Sequence, residues 1–350
     1  MNTFHTFLMP KVLRGQRYSV LIHPKALLCM LALVILLLLL FVFSLTHGEL
    51  TLSLLDVYHQ LTHPNAAPSL PQTLFWQMRL PRSLSAIIAG GLLGATGAIM
   101  QSTTRNGLAD PALLGIKEAA CLVVWVEFLF FPQFSPAWRP LSAIIAGLAV
   151  TALVLTLARG VSTARFILIG IGVSWGLNAS LGVILTLLDP KQAQQLLLWM
   201  TGSLQQASLA NVRLMCWVAL PFFVVLLYTC RASNVLQLGR ATASSLGVCP
   251  SKLMSLRIVC AVVLTAITVS SVGSIGFIGL MAPHLARRIV RGGDSYLFCA
   301  SALIGALLLL LADNCGRLAF ASTQVPAGVI VALIGGPFLL LLLWKNAARV

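Results

Sequence analysis

Residues 26–45 read ALLCMLALVILLLLLFVFSL, twenty positions without a single charge. A helix rising about 1.5 Å per residue covers about 30 Å with that many residues, the thickness of a bilayer's hydrocarbon core. The run is too long for the apolar core of a secretion signal, and no small-residue cleavage site follows it. It therefore predicts a retained membrane span.

The rest of the chain has the same character. Of 350 residues 59% are hydrophobic and only 9% charged, against about 25% charged in soluble domains. A surface so poor in charge is solvated by lipid and not by water. Further spans are predicted near Arg82–Gln101, Ala112–Phe131, Pro140–Leu157, Phe166–Leu188, Val212–Cys230, Leu256–Val272, Ile275–Ile289, Leu297–Leu311 and Val325–Trp344. The expectation is an all-α integral membrane protein of about ten transmembrane helices. Residues 1–25 would form a cytoplasmic N-terminal segment, and 26–350 a single membrane domain. The run Gln192–Leu204 is too polar to span and predicts an interfacial helix.

Ten spans of alternating direction put both termini on one side and allow a charge test. Seventeen of the 23 basic residues then fall on the side of the termini and six on the other, Arg79, Arg82, Arg139, Lys191, Arg213 and Arg317. Positive charge stays cytoplasmic in membrane proteins, so the termini are expected inside. The same distribution argues against nucleic acid as the partner of this +15 chain, because its cations lie scattered between apolar runs and not on one face. The eight cysteines form no Cys-x-x-Cys pair and sit mostly within apolar runs, which predicts neither a disulfide framework nor a zinc site.

Two patterns stand out inside the spans. Ala86, Gly90, Gly94, Ala98 and Ser102 recur every four residues, a flat helix face that lets backbones approach closely in lipid. Gly273, Gly276 and Gly279, followed by Pro283, predict a broken helix, tolerable only where protein or a water-filled path covers the freed backbone groups. Of the eight acidic residues, Glu118 and Glu127 alone fall within a span, with Glu127 the better candidate for a functional mid-span carboxylate. The chain has no phosphate-binding loop, no His-Glu-x-x-His pair and no nucleophile elbow, so no catalytic residue, metal site or bound cofactor is expected. The lone His284 predicts a structural role. Energy for uphill transport would have to come from another subunit.

Several stretches resemble one family. They include Arg79-Leu80-Pro81-Arg82, Ala98-Ile99-Met100-Gln101, and Arg105-Asn106-Gly107-Leu108-Ala109-Asp110-Pro111 followed by Leu114-Gly115. Further along come Trp199-Met200-Thr201-Gly202-Ser203-Leu204, Leu238-Gly239, Ser245-Leu246-Gly247-Val248 and the run from Gly276 to Arg287. Ala312-Asp313 with Arg317, Pro326-Ala327-Gly328 and Gly335-Gly336-Pro337-Phe338 complete the set. In this order, from about residue 75 to the end, they are similar to the membrane subunits of FecCD-type (BtuC-like) ABC importers of iron siderophores, haem and vitamin B12.

The resemblance implies a type II importer permease fold in the bacterial inner membrane. It also implies a second permease subunit (identical or paralogous), two ATPase subunits that bind ATP and magnesium, and a periplasmic substrate-binding protein. A ferric siderophore is the expected cargo, with haem or cobalamin as alternatives. Arg79, Arg82 and Arg317, cations at the outer rim, would dock the binding protein. The cytoplasmic stretch of about 231–255, with Leu238, Gly239, Arg240, Ser245, Leu246 and Gly247, would couple to the ATPase. Ala86, Gly90, Gly94, Ala98, Gly273, Gly276, Gly279 and Pro283 would serve helix packing or the pathway. The chain departs from the pattern at Gly107, usually proline, at Lys117-Glu118, usually Ser-Gly, and at Arg240, often acidic. Two other readings compete: an ion-coupled secondary transporter with a working mid-span carboxylate, and a membrane enzyme on lipid-linked substrates, which would want clustered Asp or His.

Overall fold

A computed structural model describes residues 11–14, 19–48, 50–63, 69–111, 115–131, 133, 135, 138–158, 163–319 and 324–347. The polar leader folds back on itself as strands β1 (Lys11–Arg14) and β2 (Ser19–Ile22), antiparallel with Lys11 opposite Ile22. Helix α1 (Pro24–Thr46) follows, with Pro24 in its first turn, where a missing N–H costs nothing. Helix α2 (Leu54–Thr62) is short and starts on a capping box. The Asp56 N–H donates to Ser53 Oγ at 3.0 Å and the Ser53 N–H to Asp56 Oδ2 at 2.9 Å. The Ser53 hydroxyl also donates to this carboxylate and is the main cause of a pKa below the ordinary carboxylate value.

Helix α3 (Leu70–Thr104) starts a dozen residues before the predicted span, on a Ser69 cap. Its turns widen to π geometry over Leu74–Arg79, and α-helical winding resumes at Leu80 with Pro81 in the first turn. Proline has no N–H for the carbonyl four residues back, so a wide turn just ahead of it keeps the rod continuous. The expected first-turn proline is therefore present, but it restarts a helix already under way.

The remaining helices are α4 (Ile116–Phe130), α5 (Arg139–Leu157), α6 (Thr163–Leu187), α7 (Pro190–Met200) and α8 (Leu209–Leu236). They continue as α9 (Arg240–Ser245), α10 (Pro250–Val272), α11 (Ile278–Ile289), α12 (Asp294–Leu318) and α13 (Ala327–Ala347). Among the described residues, eight helices are long and apolar enough to cross a membrane: α1, α3, α5, α6, α8, α10, α12 and α13. The other two predicted spans are shorter. Helix α4 starts behind Gly115, which takes a left-handed φ of 78°, and residues 112–114 of that span lie outside the described residues. Helix α11 has only 12 residues and reaches about 18 Å, because the first three residues of the predicted span, Ile275 to Phe277, are not helical. Helix α7 is the short helix expected near Gln192–Leu204.

Helices α3, α10 and α12 form the centre, with 78%, 72% and 56% of their most apolar windows buried, while α1 at 6% and α6 at 17% lie outside. The most extensive packing is α3 against α12. A methyl group on Gly90 would lie 2.3 Å from the Gly305 carbonyl oxygen, and one on Gly94 2.2 Å from that of Ser301. Ala86 and Ala98 are buried on the same helix. Gly97, outside the four-residue period, makes another close approach, to Gly279 on α11.

Candidate functional site

Three places in the bundle gather the residues that sequence reasoning singled out. The first is the end of the bundle that carries α2 and α7. The last carbonyls of α1 have no partner within their own helix, and Arg79 supplies one. Its Nη1 donates to the Leu45 and Thr46 oxygens at 2.7 and 2.8 Å, and its Nη2 donates to the Leu50 oxygen. Arg82 grips Asp313 through Nε at 2.9 and 3.0 Å and Nη2 at 2.9 Å, and donates Nη1 to Gln324. Arg317 Nη2 donates to the Ser44 carbonyl at 3.0 Å and to Asn314 Oδ1 at 2.7 Å.

All three guanidinium groups border one small cavity of about 120 Å³, together with Gly48, Leu50, Met78 and Gln324. The expected juxtaposition of Arg79, Arg82 and Arg317 is present. Each nevertheless has an intramolecular partner, and Arg79 and Arg317 are only 5% and 7% exposed. Arg82 is the most exposed of the three. Three cations face one carboxylate here, so the rim keeps an excess of positive charge.

The second place is the break between α10 and α11. Helix α10 ends at Gly273, whose φ of 77° carries the chain out of the helix, and Phe277 takes φ 66° before α11 begins. A side chain on Gly273 would collide with the Trp199 carbonyl oxygen at 2.2 Å, so the end of α7 seats directly on the break. Gly279 lies against Asp110 on the other side, and Gly276 faces open space. Gln101 of α3 bridges this region to α11, donating to the Gly279 carbonyl at 3.3 Å and accepting from Arg287 Nη1 at 2.6 Å. Pro283 lies inside α11. The glycine series interrupts the helix, seated against α7 at Gly273 and against Asp110 at Gly279 but open at Gly276.

The third place is the opposite end, around α9. Gly239 precedes this helix with φ 113° and Gly247 follows it with φ 82°. The Gly247 N–H donates to the Ser244 oxygen at 3.1 Å and the Val248 N–H to the Ala243 oxygen at 2.9 Å, the Schellman pattern that a glycine at this position permits. Ala243 is buried with Leu236, Leu253 and Val248, which pins the inner face of α9. Leu238 and Leu246 point the other way, 67% and 61% exposed. Arg240 and Ser245 are also exposed. Arg105, at the end of α3 and left-handed at φ 53°, donates Nη2 to the Leu236 oxygen at 2.7 Å. The core helix α3 is therefore tied to the base of the α9 loop.

Sequence reasoning missed a knot at this same end. Arg257, 1% exposed, donates to Asp294 Oδ2 at 2.5 Å, to Ser102 Oγ at 3.0 Å and to Ser233 Oγ. The Asp294 N–H donates to Asn234 Oδ1 at 2.8 Å. Four helices, α3, α8, α10 and α12, meet on this ion pair. Its only signal in the sequence is an arginine one turn inside an apolar run. The preference for Glu127 over Glu118 needs correction too: Glu118 is 4% exposed, whereas Glu127 is partly exposed.

Comparison with known proteins is consistent from end to end. The model of the FecCD transport family matches residues 36–345. The iron(3+)-hydroxamate import system permease protein FhuG of Bacillus subtilis is 34% identical over 78% of this chain and 84% of its own length. The hemin transport system permease protein HmuU of Yersinia pestis is 34% identical over 90% and 94%. The vitamin B12 import system permease protein BtuC of Vibrio cholerae is 32% identical over 98% of each chain. A solved structure of an inward-facing metal-chelate type ABC transporter superimposes with a TM-score of 0.79 at 28% identity, covering 90% of this chain and 98% of that one.

Proposed function

Because the chain belongs to the FecCD transport family, a family of ABC-importer permeases and not of enzymes, we propose that it carries an iron chelate across the bacterial inner membrane. The cargo class follows the names of its relatives, among which ferric siderophore permeases recur. Haem and vitamin B12 permeases are relatives as well, and the ferric siderophore is the reading we carry forward. The α9 end then faces the cytoplasm with both termini, and the α2 and α7 end faces the periplasm, in accord with the excess of basic residues at the former.

The observation that carries the reading is α9 itself. Two exposed leucines, Leu238 just before Gly239 and Leu246 at the C-cap, flank a short helix set between two positive-φ glycines and tied to the core by Arg105. A short projecting helix with an exposed leucine at each end fits a cleft on an ATPase. Its link to α3 gives nucleotide-driven closure a path into the bundle, since coupling needs a physical element that both ends bias. Two ATPase subunits and a second permease, identical or paralogous, complete the assembly. ATP and magnesium are bound by the ATPases.

At the periplasmic rim, the cluster of Arg79, Arg82 and Arg317 receives a binding protein with acidic groups on its lobes. Arg79 and Arg317 shape the seat, and Arg82, the most accessible, meets the partner. Such rim charges chiefly steer encounter and weaken with salt.

The test is substitution of Leu238 and Leu246 together by alanine, followed by ATPase measurement on the assembled complex in vesicles. Stimulation by the binding protein should fall at least about tenfold, the effect of losing about 1.4 kcal/mol of coupling. Full stimulation in the double variant would contradict the role assigned to α9.

A further inference from the structure

A second cavity, of about 580 Å³, lies between α4, α6, the break ahead of α11 and α13. Its size is that of a small-ligand pocket, and its walls are mostly apolar, including Trp175, Phe277 and Leu343. Into this setting the chain places Asp110, Lys117 and Glu118, with Ser174 and Asn178 beside them. Two carboxylates against one ammonium leave the cavity net negative. Asp110 and Glu118 are buried, and buried ionisable side chains in a membrane protein are costly and by default mark a pathway or a ligand site.

Glu118 is the informative member. Its side chain is only 5% exposed, yet it is thinly satisfied. Lys117 Nζ stands 3.5 Å and Asn178 Nδ2 3.4 Å from the same oxygen, Oε1. The other oxygen, Oε2, is buried and has no hydrogen-bond partner among the described residues. An ionised carboxylate has about four acceptor sites, and leaving one oxygen dry and unpaired is expensive. Asn178 and Ser174 add further polar capacity one turn apart on α6. The donors at hand, Lys117 and Asn178, both stand on Oε1, which leaves Oε2 open to a further donor.

We propose that this cavity is a selectivity site that receives an ammonium group, carried as a substituent of the iron chelate, during its passage. The inference rests on the import reading above and adds to it the charge of the substrate. Glu118 supplies the counter-charge, Asn178 orients its carboxylate, and Lys117 limits the net charge so that the group is held and then released. Phosphatidylethanolamine, a lipid with an ammonium headgroup, is the other source of the same chemistry.

The assembled transporter in vesicles, with its ATPase and binding protein, separates the possibilities. The probes are a ferric trihydroxamate with one free primary ammonium and the same chelate N-acetylated, which is identical but for that charge. The readout is the ratio of their ATP-driven uptake rates in one preparation, which does not depend on how much complex assembles. Glu118→Gln should lower the ammonium-to-acetyl ratio about tenfold relative to the parent chain, equivalent to about 1.4 kcal/mol. Glu118→Asp should restore most of it, and Lys117→Met should raise it. An unchanged ratio in Glu118→Gln would overturn the proposal. So would an equal loss for both chelates, or a loss confined to vesicles containing phosphatidylethanolamine, which would assign the cavity to lipid. Failure of the parent complex to take up either chelate with ATP would refute the import reading and this inference with it.

Discussion

Replacing Asp294 by alanine should destabilise the bundle more than any other single loss of charge. Arg257 is 1% exposed and Asp294 5% exposed, so the substitution strands a guanidinium in the interior. Breaking a buried ion pair by removing one partner costs about 3–5 kcal/mol. Ser102 and Ser233 would still accept from Arg257, which places the loss near the lower bound, about 3 kcal/mol. Converted at about 2–4 °C per kcal/mol for chains of 150–250 residues, the melting temperature should fall by about 6–12 °C, less in so long a chain.

The cysteines provide the assay. Cys121, Cys230 and Cys260 are buried, and Cys216, Cys249 and Cys315 are exposed. Serine at the three exposed positions and at the half-buried Cys29 and Cys299 leaves a chain whose melting in detergent can be followed with a thiol-reactive fluorophore. The double variant Arg257→Met with Asp294→Leu removes both charges and should melt within a few degrees of the parent, since an apolar pair of similar size often matches a buried ion pair. The reasoning is refuted if Asp294→Ala melts like the parent. It is equally refuted if the double variant loses as much as the two single variants added together.

Other consequences follow from the packing and the caps. Gly94→Val should cost at least about 1–3 kcal/mol by forcing α3 from α12, because the added Cβ would lie 2.2 Å from the Ser301 oxygen. Gly172→Ala, with open space around it, should be neutral or gain about 0.5–1 kcal/mol in the same melting assay. Arg79→Met leaves the Leu45, Thr46 and Leu50 carbonyls without this donor and should speed amide exchange at the end of α1 while sparing α10. The lowered pKa of Asp56 means its cap stabilises α2 at any pH above the ordinary carboxylate pKa and is lost as pH falls through the lower folded value. Exchange of the first α2 amides should therefore stay flat through neutral pH and quicken only in acid.

Much of this architecture was legible in the sequence because lipid imposes simple rules. Apolar length gave the long helices, the period of four gave the α3 face, and Gly273, Gly276 and Gly279 gave the broken helix. Hydropathy failed where a segment is apolar for another reason. Ile275–Ile289 reads as a span although its first residues are not helical, since a window cannot separate apolar helix from apolar backbone packed under α7. The early start of α3 was hidden because Ser69 and Pro71 look like loop and a π turn has no pattern of its own. The arginine cluster was found as a cluster but not as a set of intramolecular bonds. The acceptors of Arg79 lie 29 to 34 residues away in the chain, and no local spacing reports them. The burial of Glu118 escapes local reading for the same reason, because its partner Asn178 lies 60 residues away on α6.

The central claim is that this bundle moves an iron chelate inward on energy from a separate ATPase. It is tested most directly by uptake of a radiolabelled ferric siderophore into vesicles holding the permease, the ATPase and an external binding protein. The account predicts accumulation against a gradient with ATP on the ATPase side, none without ATP, and no effect of a proton uncoupler. Uptake by this chain alone without nucleotide, or uptake abolished by the uncoupler while ATP is present, would contradict it.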